Sequence, residues 1–423
     1  GFMQNHSMSV SGGSEKTVYR IGVGYTGEDG ILITDKDSYD RLNLSTFMGV
    51  DVNSWLTTQL DLKYGNSKQK KVEAGGRNTV WVAAMNLPSY QNNEDYEENG
   101  TVYPAESPAT YIRYGDPRRI KRNDLRALGR IILSPLKGLK ITGEYTYNRT
   151  TEQNKFYKNK YQYIGMNFTG VLNSTENSSY AVTSKYTDYN AVNLFANYDM
   201  TFGKHDISVM GGYNQESSHT ESQYSYRTDV VVGSLPSLSL STGTPITNDA
   251  FEEFAIRGLF YRVNYSYAGK YLLEANGRYD GTSRFPKNSR FGFFPSFSAG
   301  WRISEENFMK TTNEWLSNLK LRASWGSIGN QVILKSDNTP DNYPYIPDMN
   351  VYLSNWLVDG QKVTTLGAPA MVSSSFGWEK VYTLDFGFDL DLFNNKLNTT
   401  FDWYRRDTKG MLAPGMELPG VVG

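Results

Sequence analysis

The sequence predicts an all-β fold, a transmembrane antiparallel β-barrel, and three observations carry that expectation. Apolar and polar residues alternate with period two through most of the chain, as they do in strands with two unlike faces. The alternating runs are joined by short turns and long polar connections in turn. Aromatic residues reach 14%, with 31 Tyr and 8 Trp, although only 39% of the residues are hydrophobic. Amphipathic rings suit places that are dry at one end and wet at the other.

Composition removes several classes. The 43 Lys+Arg and 44 Asp+Glu leave a net charge of −1, which provides no global field for nucleic acid. There is no cysteine, hence no disulfide and no thiolate metal site. No apolar run approaches the roughly 18 residues that a spanning helix needs. The opening "GFMQNHSMSVSGG" has neither a charged n-region nor an apolar h-region, as expected of a mature or incomplete secreted chain.

The elements follow in order as hairpins. Those near 5–26, 38–65 and 123–150 turn at "GGSEK", "VNSW" and "PLKGLK". In the hairpin near 188–216, Val192, Leu194, Ala196, Tyr198 and Met200 share one face against Asn193, Asn197 and Asp199. After "TFGKH" the return strand sets Ile207, Val209, Gly211 and Tyr213 against Asp206, Ser208 and Asn214. The hairpin near 254–280 turns at "AGK", and the one near 379–410 turns at "NNK". In the hairpin near 290–327 the series Phe291, Phe293, Pro295, Phe297, Ala299 and Trp301 occupies every second position. Its two strands are separated by "SEENFMKTTNEWLSN" (304–318), which reads as a helix with Ser304 as N-cap and Phe308, Trp315 and Leu316 on its apolar side. The count is about fourteen strands of about 9–14 residues, the length of a tilted membrane strand.

Long connections at 66–122, 151–187, 216–252 and 328–378 are rich in Asn, Ser, Tyr, Asp and Gly. Loops of that length are rare in compact domains unless they are functional. Short turns at one end and long loops at the other match an outer-membrane barrel, the long loops being extracellular. In hydrocarbon every backbone N–H and C=O must be paired within the protein, so strands span only as closed barrels. Alternation by itself also describes edgeless soluble β-proteins, so periodicity leaves both environments open.

Four segments then resemble a known family: "RYDGTSRFPKNSRFGFFPSFSAGWRISEENF", "SMSVSGGSEKTVYRIGVGYTGEDGIL", "NLKLRASWGSIGNQ" and "WEKVYTLDFGFDLDLFNNKLNTTFDWYRRDTKGML". Their order from residue 6 to about 412 resembles the barrel of the SusC/RagA family of TonB-dependent outer-membrane transporters. The resemblance implies a barrel of about 22 strands, an internal plug, a TonB-binding segment and a SusD-like surface lipoprotein lid. It implies import of glycans, oligosaccharides or peptides across the bacterial outer membrane, and dimers of transporter–lipoprotein pairs. The plug and the remaining C-terminal strands are expected to lie outside this sequence. Rival readings are a TonB-dependent receptor for a small metal chelate or vitamin, and a soluble β-rich adhesin or glycan-binding protein.

Catalytic chemistry finds no support. "GVGYTG" has dinucleotide-site spacing but precedes no helix-like run. His6, His205 and His219 are scattered, with no nucleophile and base at workable spacing, so no enzyme and no cofactor are expected. Asp35, Asp37 and Asp40 hint only weakly at calcium, lacking the glycine and closing glutamate of an EF-hand. Arg126, Arg130, Arg262, Glu274, Asp385, Asp389 and Asp391 fall on polar faces, where they would line a lumen or meet a plug. Trp81, Tyr90, Tyr103, Tyr111, Tyr343, Tyr345 and Trp356 fall in long loops, as candidates for stacking on sugar rings or peptide side chains. Trp55, Tyr267, Tyr271, Trp315 and Trp403 fall near strand ends or turns, as interfacial anchors in the lipid bilayer.

Overall fold

A computed structural model describes the chain except residues 33, 73–83, 86–93, 166–169, 313, 336–337, 348, 350, 370–371, 373–375 and 412–423. Fourteen strands form one antiparallel sheet in which each pairs with its neighbours in chain order. They are β1 Met3–Gly13, β2 Thr17–Asp29, β3 Ser38–Asn53, β4 Leu56–Val72, β5 Pro117–Leu136, β6 Leu139–Lys158 and β7 Ser179–Phe202. Then follow β8 His205–Thr228, β9 Ile246–Tyr267, β10 Tyr271–Thr282, β11 Phe291–Arg302, β12 Leu316–Asn330, β13 Glu379–Leu392 and β14 Leu397–Lys409. No helix among the described residues is long and apolar enough to cross a membrane.

Register keeps the two faces separate across the sheet. One row runs Met200, Ile207, Tyr265, Leu273, Ala299, Ala323, Phe386, Trp403, each opposite the next on adjoining strands. The row one residue away runs Asp199, Ser208, Asn264, Glu274, Ser298, Ser324, Asp385, Tyr404. A slip of one residue on any strand would bring the polar row into the apolar one, so alternation fixes the register. None of the described residues covers the apolar face: Leu194, Leu259, Leu273, Phe297 and Phe386 are all exposed.

Strand lengths depart from the sequence expectation. β7 and β8 each run 24 residues, beyond the length that crosses hydrocarbon. Strand therefore occupies much of the connections expected at 151–187 and 216–252, leaving 159–178 and 229–245 between strands. The extra length carries polar residues on both faces, so it has no apolar period to read.

The helix expected at 304–318 does not form. The segment makes two 3₁₀ turns, Ile303–Glu305 and Asn307–Thr312, and Leu316 enters β12. The Ser304 hydroxyl is buried without a partner and caps nothing. Pairing of Leu316 with Leu392 on β13 takes the end of the expected helix into the sheet. A helix does form within the 66–122 connection: α1, Pro108–Tyr114, with Ser107 as N-cap and proline in its first turn. The Lys36 ammonium closes its other end, donating to the carbonyls of Arg113 at 2.6 Å and Gly115 at 2.9 Å, where the helix dipole favours a cation.

Candidate functional site

The polar face is built by side chains meeting across ladder positions. The Arg130 guanidinium lies 2.5 Å from Glu144 and donates to Gln59 at 3.0 Å. Asn193 donates to the other Glu144 oxygen at 3.3 Å, and Asn214 donates to Asn193 at 2.7 Å. One polar chain therefore crosses five strands, β4 to β8. Arg126 shares this face and makes no ion pair among the described residues.

A second cluster lies nearer the short turns. Arg322 bridges Asp389 at 3.1 Å and Asp402 at 2.9 Å, while Asn318 donates to Asp391 at 3.1 Å. Arg262 and Glu274 are 4.0 Å apart, and Asn276 donates to Glu274 at 2.6 Å. Glu274, Lys320, Arg322, Asp385 and Asn264 line a groove of about 560 Å³. Three further pairs form within single strands, two residues apart: Arg122–Asp124 at 3.0 Å, Arg278–Asp280 at 2.9 Å and Arg405–Asp407 at 3.0 Å.

The loop rings expected to meet ligand divide. Trp81 and Tyr90 lie outside the described residues. Tyr103 pairs with Tyr96 in a short ribbon. Tyr111 sits on α1, donates to Glu106 at 2.9 Å and meets Tyr163 edge-on at 6.5 Å. Burial raises its hydroxyl pKa, and it raises that of Tyr161 to about 12. Tyr343 accepts from the Glu253 backbone N–H at 2.8 Å, tying its loop to β9. Tyr345 is half-buried, whereas Trp356 is 81% exposed.

The buried residues at the long-loop end carried no periodic signal. Phe285 is fully buried and, with Phe294, packs edge-on against Trp378 at 5.5 and 5.0 Å. Gly292 and Gly329 make room for the Phe294 ring, since a Cβ on either would collide with it. Arg284 lies over the Phe254 ring at 4.4 Å and donates to Asn342 at 2.9 Å; burial lowers its pKa. The Trp378 indole N–H donates to the Arg290 carbonyl at 3.0 Å. Thus the 283–290 tip and the 331–378 connection fasten to each other and to β9.

At the short-turn end the rings form a girdle. His205 stacks on Phe202 at 4.8 Å and meets Tyr267 at 4.9 Å; Tyr271 lies 6.3 Å from both Tyr267 and Trp301. Glu306 accepts from Lys270, Tyr271 and Trp301 at 3.0, 2.6 and 3.2 Å. Trp55 and Trp315 sit half-exposed in turns at the same end. Trp403 is mid-strand rather than terminal, opposite Phe386 with ring centroids 6.2 Å apart. Among the described residues no three His, Asp or Glu side chains gather as a metal site, and Asp40 instead accepts from the Tyr25 hydroxyl at 2.8 Å.

Comparison with known proteins fits this geometry. The family described as "TonB dependent receptor-like, beta-barrel" matches residues 64–422. TonB-dependent receptor P3 of Formosa agariphila is 26% identical over 100% of this chain and 41% of its own length. TonB-dependent receptor SusC of Bacteroides thetaiotaomicron is 26% identical over 96% of this chain and 41% of its own length. The chain thus spans about two-fifths of the length of these curated relatives. A solved structure of the RagAB peptide transporter superposes with a TM-score of 0.81 at 20% identity, over 99% of this chain and 46% of that one. The ferric citrate transporter FecA gives 0.53 at 11% identity, over 95% and 48%. By this match the chain belongs to the TonB-dependent receptor-like β-barrel family, whose members sit in the outer membrane, and its resemblance is to the SusC and RagA kind.

Proposed function

We propose that the full-length protein imports a large nutrient, a glycan, oligosaccharide or peptide, across the bacterial outer membrane, driven by TonB and capped by a SusD-like surface lipoprotein. One observation carries this reading: a single sheet with an uncovered apolar row and, one residue away, a continuous polar row. Such a sheet is stable only with hydrocarbon on one side and water or polar protein on the other. The likeness to SusC and to a peptide transporter supports import, while the substrate class rests on the long loops. In this reading Glu274, Arg322 and Asp385 face a plug, Trp356 and Tyr345 face the substrate, and two transporter–lipoprotein pairs associate as a dimer.

The test is uptake by cells carrying the full-length protein, offered labelled oligosaccharides and peptides with TonB present or deleted, together with capture of partners from solubilised membranes. TonB-dependent uptake of either class and capture of a surface lipoprotein are expected. Uptake of a metal chelate alone, with no lipoprotein captured, would select the small-ligand receptor instead.

A further inference from the structure

The apolar-row face of β4, β5 and β6 changes character abruptly toward the long loops. Leu60, Leu62 and Tyr64 on β4 face Gly129, Ala127 and Leu125 on β5, with Tyr145, Tyr147 and Arg149 beyond on β6, and Arg149 is paired with Asp188 at 3.7 Å. The next rung is a ladder of amides and hydroxyls. Tyr64 and Asn66 donate to Asn123 at 3.2 and 2.6 Å, and Asn123 donates to Thr151 at 3.2 Å. Above it Lys68 stands directly opposite Lys121, and Arg119 stands opposite both Lys70 and Lys155.

Like charges directly opposite one another destabilise a sheet, so this arrangement wants an anion. The protein supplies little. Among the described residues no carboxylate lies within ion-pair distance of Lys68, Lys121, Arg119 or Lys155. Lys70 donates to the Asp35 carbonyl at 3.4 Å. The acids nearby are otherwise placed: Asp40, opposite Lys68, accepts from Tyr25; Asp116 comes three residues before Arg119; and of Glu152 and Glu221, which line one groove with Lys121, Glu221 is engaged by His219.

Height selects the occupant. Two residues of strand rise about 7 Å, or about 5 Å vertically at a tilt near 40°. Lys68 and Lys121 therefore stand about 5 Å above the Asn66–Asn123 rung, and Lys70 and Arg119 about 10 Å above it. The headgroup layer on each side of a bilayer is about 5–7 Å deep. The cations lie in and just above that layer. We propose that this face of β4, β5 and β6 binds the phosphates of phosphorylated glycolipid headgroups in the outer leaflet. The inference rests on the outer-membrane reading above and adds a lipid site to it.

The test uses the full-length protein purified from outer membranes in mild detergent, with retained phosphorylated glycolipid counted by mass spectrometry. The triple variant Lys68→Gln/Arg119→Gln/Lys121→Gln should retain at least about fivefold less, while Lys63→Gln, on the polar face, should retain as much as wild type. Delipidated wild type should rebind the phosphorylated glycolipid and not its dephosphorylated form. Equal retention by wild type and triple variant, or equal rebinding of both lipid forms, overturns the proposal. So does unchanged lipid with loss of a captured protein partner, which would assign the patch to that partner. If the triple variant fails to fold, as judged by heat-modifiable migration, the single Lys121→Gln is scored by the same criteria. Lipid retention is read independently of uptake, so failure of the import reading and failure of the lipid site are separable.

Discussion

Arg130 on β5 and Glu144 on β6 are cross-strand partners whose side chains meet at 2.5 Å, and Glu144 is the less exposed of the two. Removing the guanidinium leaves a carboxylate that has lost its cation inside a hydrogen-bonded chain. Arg130→Ala should lower the stability of the full-length barrel by about 1–3 kcal/mol. Adding Glu144→Gln should recover part of that loss. Denaturant unfolding of the four-member mutant cycle checks it, and additive losses would remove any coupling between the pair.

The tip at 283–290 and the 331–378 connection share one small core around Phe285 and Trp378. Phe285→Ala should cost about 3–5 kcal/mol locally and free the connection, while β10 and β11 stay paired. Limited proteolysis should then cut within 331–378 at least tenfold faster than in wild type, with the strands protected. An unchanged digestion pattern would mean that other contacts hold the connection.

Glu306 gives a pH dependence. Hydrogen bonds from Tyr271, Lys270 and Trp301 hold its carboxyl below the usual range. A carboxyl lowered in the folded state contributes stability above its ordinary pKa, and that contribution is lost as pH falls through the lowered value. The stability gap between wild type and Glu306→Gln should therefore be widest near neutrality and close on acidification. Thermal unfolding at stepped pH reads the gap, and a gap independent of pH would contradict this account.

Trp356 is so exposed that its truncation should leave stability within about 0.5 kcal/mol of wild type. If it stacks on substrate, Trp356→Ala should weaken binding about 2–13-fold, the range of one aromatic contact. Tyr343→Phe loses an acceptor for the Glu253 N–H and should act on loop order rather than affinity. Calorimetry with the oligosaccharide or peptide selected by the uptake test separates the two.

Trp301, Trp325 and Trp403 stand on the apolar-row face, whereas Trp378 is packed among loops. Single-Trp variants reconstituted in lipids with brominated tails should show quenching of Trp325 and Trp403, weaker quenching of Trp301 in the girdle, and none of Trp378. Strong quenching of Trp378 with Trp325 untouched would place the wrong face in lipid.

The faces were legible in the sequence because side-chain direction alternates along a strand whatever the neighbour does. Asn264 and Glu274 could be placed on one face before their pairing was known. Strand ends were not legible where both faces are polar, as in Ser217–Thr228 of β8. The α1 signal was present as Ser107 followed by Pro108, inside a connection read only for its composition. The Arg284–Asn342 and Trp378–Arg290 contacts join residues 58 and 88 positions apart. No periodicity reports such pairings, because they depend on two loops closing over the same rim.

Arg122–Asp124, Arg278–Asp280 and Arg405–Asp407 each balance their charge inside a single strand. The counter-ion travels with the guanidinium by covalent linkage. A wall assembled hairpin by hairpin then never presents these three arginines without a counter-charge while awaiting the next piece, and the order of addition is released from any electrostatic constraint at those places.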